Sequence, residues 1–113
     1  MLYLPVVIFG LAAAGGATLV VLKNSGKGMP FSLAIGHGAL AVTGLVTLLI
    51  NVMRNNSMTL MNISAWMFVA VAAGGLAAFS FHVRKKRTPD ALIIVHALGA
   101  VASYVVLIIS VFI

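Results

Sequence analysis

Four apolar runs, Leu2–Leu22, Phe31–Met53, Leu60–Val83 and Asp90–Ile113, take up nearly the whole chain, and each is long enough to cross a hydrocarbon core as a helix. A backbone that enters lipid must satisfy its own N–H and C=O groups, so runs of this length joined by short linkers specify antiparallel helices. The side chains agree: 63% are hydrophobic and Asp90 is the only acidic residue among 113, too little polar surface for a water-soluble domain. The expected fold class is all-α, an integral membrane four-helix bundle forming one transmembrane domain over 1–113.

Charge gives the bundle a direction. Lys23 and Lys27 lie in the first linker, Arg84, Lys85, Lys86 and Arg87 in the third, and Arg54 alone in the second. The positive-inside rule then places the first and third linkers in the cytoplasm and both termini outside it, as for a protein of a bacterial inner membrane. The formal charge of +6 is a topology signal and not a mark of nucleic-acid binding, while the RKKR run also offers cations to anionic lipid head groups. No cysteine is present, which excludes disulfides, thiolate metal sites and thioether-linked haem.

Local signals mark the helix ends. Tyr3 and Trp66 suit the outer membrane interface, Pro5 suits a first turn, and Pro30 opens the second helix. The RNNS stretch reads as a polar turn between the second and third helices. Thr88-Pro89-Asp90 reads as an N-cap, a first-position proline and a first-turn acid opening the fourth.

The chain also repeats itself. A shift of 59 residues lays Phe9–Arg54 over Phe68–Ile113 without a gap, and Gly15–Gly16 fall on Gly74–Gly75, Lys27 on Lys86, Pro30 on Pro89 and His37 on His96. This is a tandem repeat of a two-helix unit, 9–54 and 68–113. Units with an even number of helices insert with the same orientation, so a pseudo-twofold axis along the membrane normal relates them. The second and fourth helices then face each other, and His37 and His96, seven residues after equivalent prolines, lie at one depth, about 10 Å from the cytoplasmic helix starts.

Two imidazoles at one depth on opposed helices form the arrangement that ligates a haem iron from both faces, which makes His37 and His96 the candidate metal ligands. Gly15, Gly16, Gly74 and Gly75 fall at about the same depth and leave room for a flat macrocycle. The ligand faces continue at helical spacing through small residues, Ala41 and Gly44 beyond His37, and Ala100 and Ser103 beyond His96. Lys23 and its counterpart His82 lie two turns past Gly16 and Gly75, beside the basic linkers, where haem propionates would meet positive charge and water, with further help from Lys27, Arg84 and Lys86.

On His37, His96 and the helix-buried glycines, the chain resembles the four-helix membrane cytochromes of b type. The resemblance implies haem b held between histidines of a transmembrane bundle and electron exchange with a quinol, as in a quinol-linked oxidoreductase, or with another redox partner. Two neutral imidazoles saturate the iron and disfavour oxygen or peroxide chemistry at the metal. A single haem near the cytoplasmic surface suits a cytoplasmic reductant or a quinone in the inner half of the bilayer.

Two other readings stand beside this one. In the first, the histidines are interhelical hydrogen-bond donors or pH sensors of a non-redox partner subunit; in the second, the protein carries or buffers haem, with His82 aiding transfer. Copper transport is disfavoured because the six methionines form no cluster with the histidines. A proton-coupled multidrug transporter would need a carboxylate within the membrane, and Asp90 lies at a helix start. Tyr104 reads as an interhelical hydrogen-bond donor, and surface glycines and alanines leave room for a homo-oligomer.

Overall fold

The computed structural model of the protein, described over residues 2–54 and 59–113, contains α1 (Tyr3–Asn24), α2 (Phe31–Arg54), α3 (Thr59–Val83) and α4 (Asp90–Phe112). All four are long and apolar enough to cross a membrane, with mean hydropathies of 1.8 to 2.5. They stand side by side in a bundle of 45 × 20 × 20 Å, enough to span a hydrocarbon core of about 30 Å with its interfaces. Most of the turn expected at RNNS falls on residues 55–58, which with Met1 lie outside the described residues.

The linkers explain the antiparallel pairing. At the end of α1 the N–H of Lys27 reaches the carbonyl of Leu22 at 3.0 Å and that of Gly26 the carbonyl of Lys23 at 3.2 Å, with Gly26 at φ +80°. This is a Schellman stop, which needs one residue in the left-handed region. α3 ends the same way: Lys86 bonds Phe81 at 2.9 Å, Lys85 bonds His82 at 3.1 Å, and Lys85 takes φ +57°. At the start of α4 the N-cap is Pro89, not Thr88, because the Pro89 carbonyl accepts the first helical N–H groups, from Leu92 and Ile93. Thr88 is buried against α3, its hydroxyl 3.5 Å from the carbonyl of Ala78.

α1 packs closely on α2 and α3 on α4, with lighter contact between α2 and α3 and between α1 and α4, so α1 faces α3 and α2 faces α4 along the diagonals. Residues 59 apart meet at the centre. Phe9 and Phe68 stack with ring centroids 3.9 Å apart and planes within 3°, and Leu48 and Leu107 are both fully buried. Gly44 makes this possible, since a Cβ there would lie 3.0 Å from the Phe9 ring. Met61 and Ala65 complete the packing. The Tyr104 hydroxyl donates to the carbonyl of Val6 at 2.8 Å, the interhelical role its sequence position suggests, and Ser64 donates to the carbonyl of Ser103 at 3.0 Å.

The two ends of the bundle differ. Towards the chain termini, below called the terminal end, the axis is filled by these large side chains. Towards the first and third linkers, the basic end, no residue in 31–43 of α2, 69–83 of α3 or 90–102 of α4 is fully buried. There the weak α1–α4 seam is closed by an ion pair between Lys23 and Asp90, and Asp90 also meets Arg87 at 3.4 Å.

Lipid tails are as apolar as the core, so helix association here rests on van der Waals fit and interhelical hydrogen bonds. Phe68→Ala should therefore lower stability by up to about 3 kcal/mol, below the roughly 3–5 kcal/mol of a water-soluble core, in a detergent-denaturation titration. Leu48→Ala tests the same layer and should cost a similar amount.

Candidate functional site

Just to the basic side of the Phe9–Phe68 layer, the two histidines turn into the bundle. His37 on α2 lies against α1, its Nδ1 donating to the carbonyl of Ala12 at 2.7 Å; His96 on α4 lies against α3, its Nδ1 donating to the carbonyl of Val71 at 2.9 Å. Ala12 and Val71 are themselves 59 residues apart. The ring centroids are 6.3 Å apart and the planes cross at 85°. Both histidines are only partly buried.

The glycine pairs fix this geometry. A Cβ on Gly16 would come within 2.9 Å of His37 Cε1, and one on Gly75 within 2.9 Å of His96 Cε1; Cβ atoms on Gly15 and Gly74 would lie 3.9 and 3.8 Å from the Nδ1 atoms of the same rings. The space that the sequence reading gives to a macrocycle is taken up, in this conformation, by the imidazoles seated in the glycine notches.

Protonation follows from the acceptors. A backbone carbonyl only accepts, so each Nδ1 carries a ring proton, and in the neutral imidazole Nε2 then keeps its lone pair. Among the described residues neither Nε2 has a hydrogen-bond partner. A ring nitrogen left bare inside a bilayer is costly, and a neutral imidazole with Nδ1–H tied to a carbonyl is the usual oriented donor to a metal.

The other expected residues divide by depth. Ala41 and Ala100 are half-buried on the histidine faces. Gly44 and Ser103 lie two turns beyond the imidazoles, Gly44 against Phe9 and Ser103 with its hydroxyl donating to Gly99 at 2.7 Å. Lys23 is engaged by Asp90, while His82 stacks on Phe31 and Phe79 at centroid distances of 5.5 and 6.1 Å. Lys27, Arg84 and Lys86 are exposed on the linkers. Between α3 and α4 an open groove of about 290 Å³ leads along Val71, Gly74 and Gly99 to His96.

Sequence reasoning misses the aromatic layer and the carbonyl acceptors. The first had a signal, since Phe9 and Phe68 head the two repeat copies; the second had none, because every residue carries a carbonyl. Comparison with protein families, with characterised proteins and with solved structures finds no match for the chain.

Nitrogen NMR of the metal-free protein should find both histidines as the Nδ1–H tautomer. Gly16→Ala should shift the His37 ring nitrogens and leave those of His96 in place, and Gly75→Ala should do the reverse.

Proposed function

We propose that the protein is a membrane cytochrome that holds one haem b between His37 and His96 and works in one-electron transfer. One observation carries the reading: two equivalent imidazoles, each tied through Nδ1–H and bare at Nε2, converge at 6.3 Å where the bundle buries few side chains of its own. Two imidazoles that bind one metal from opposite sides, through metal–nitrogen bonds of about 2 Å, have ring centres about 6 Å apart. Among the described residues no group of three or more His, Cys, Asp or Glu side chains converges. A two-histidine site therefore suits a metal whose remaining ligands arrive with it, as in a porphyrin.

Bound there, held by His37 and His96, haem b would supply a one-electron redox change. The chain's own part is to orient and to insulate. The carbonyls of Ala12 and Val71 hold the imidazoles in one tautomer and one orientation, as outer-shell acceptors do at metal sites. Phe9 and Phe68 close the axis on the terminal side. Lys23, paired with Asp90, and the linker cations keep the basic end positive for propionates.

With the basic linkers in the cytoplasm and both termini outside, as in a bacterial inner membrane, the site lies in the inner half of the bilayer. Exchange then takes place on that side, with a cytoplasmic reductant or with a quinol that reaches His96 along the α3–α4 groove. A second reading is favoured by the same hydrogen bonds: the histidines staple α2 to α1 and α4 to α3 in a non-redox protein.

A visible spectrum separates the two. Protein purified from haem-replete cells should show a sharp Soret band and, on reduction, resolved α and β bands; His37→Ala and His96→Ala should each abolish this low-spin spectrum, and His82→Ala should retain it. A colourless native protein whose helices remain folded would leave the stapling reading.

A further inference from the structure

The repeat provides an internal control for the third linker. Shifted by 59, Ser25, Gly26, Lys27 and Gly28 of the first linker correspond to Arg84, Lys85, Lys86 and Arg87. The backbone is the same in both: a Schellman stop with one residue in the left-handed region, Gly26 at φ +80° in the first copy and Lys85 at φ +57° in the second. A glycine takes that conformation without steric cost and a lysine does not. The second copy thus carries a cation where its own fold favours glycine, and two more where the first copy has serine and glycine.

Topology alone does not require these charges. Lys23 and Lys27 on one linker and Lys86 on the other already outnumber Arg54 on the opposite side. The added cations are also arranged. The Arg84 guanidinium lies 4.9 Å over the Phe81 ring, with Nε donating to the carbonyl of Ser80 at 3.2 Å and Nη2 to the hydroxyl of Ser80 at 3.4 Å. Arg87 leans on Asp90, whose carboxylate Lys23 shares. Arg84, Lys85 and Lys86 are exposed, and among the described residues none of the three is ion-paired.

We propose that Arg84, Lys85 and Lys86 form a docking surface for the phosphate head groups of anionic phospholipids at the basic end of the bundle. The position fits, since the three cations follow directly on a membrane-spanning helix, at the level where head groups lie. The chemistry fits as well: Arg84 is held in place for a phosphodiester, and the two lysines add point charge beside it. The same linker cations are those proposed to stand beside haem propionates, so the lipid preference is read on protein with and without haem and is expected in both.

The test uses the full chain in detergent micelles mixed with phosphatidylcholine and phosphatidylglycerol in equal amounts, where insertion topology has no influence. Native mass spectrometry should find phosphatidylglycerol enriched on the protein, and the triple variant R84S/K85G/K86Q, which removes the three cations and leaves the Arg87–Asp90 pair, should reduce that enrichment about tenfold. K85G relieves backbone strain, so the thermal stability of the single variant K85G in phosphatidylcholine alone should match or exceed that of the native chain. Lys86→Gln serves as a milder check and should lower the enrichment by a smaller factor. Equal retention of the two lipids by the native chain, unchanged enrichment in the triple variant, or displacement of the lipid by millimolar inorganic phosphate would each overturn the proposal.

Discussion

Two hydrogen bonds, from the imidazole Nδ1–H of His37 to the carbonyl of Ala12 and from that of His96 to Val71, determine what the basic half of this bundle is. Each bond fixes a tautomer, turns a ring inwards and leaves Nε2 with a free lone pair. Each also needs a glycine one helical turn past its acceptor, because any side chain at Gly16 or Gly75 would occupy the ring's place. Remove the glycine and the ring must move.

The bundle divides its work along its length. The terminal half is held by fit: the Phe9–Phe68 stack, the buried leucines, and the Tyr104 and Ser64 hydrogen bonds to opposing backbones. The basic half has little such filling, and its α1–α4 seam is closed by charge, Lys23 with Asp90. Duplication supplied the frame and later change broke its symmetry. The position equivalent to Lys23 is His82, and the one equivalent to Asp90 is Phe31, so one seam has an ion pair where the other has a ring stack. Tyr104 likewise reaches across to α1 from a position where the first copy has Leu45.

Much of this can be read from residues alone, for a physical reason. Apolar runs of bilayer length leave the backbone no choice but helix, and the 59-residue shift pairs His37 with His96 and the glycine doublets with each other before any coordinate is known. What stays hidden is what depends on direction within a turn. Ser103 and Gly44 share a helical face with the histidines but lie two turns away, and there they serve packing. Lys23 points at Asp90, a partner 67 residues away that only the closed ring of helices brings near. Thr88 has the composition of a cap, yet the proline after it supplies the capping carbonyl, which frees the threonine to be buried.

The proposal that His37 and His96 together would hold one haem iron rests on two imidazoles whose ring centres lie 6.3 Å apart with planes crossing at 85°. Electron paramagnetic resonance of the oxidised, haem-replete protein tests it directly. A single low-spin ferric species is expected, since two imidazoles would hold the iron. A high-spin signal, or a spectrum that survives His96→Ala unchanged, would overturn it.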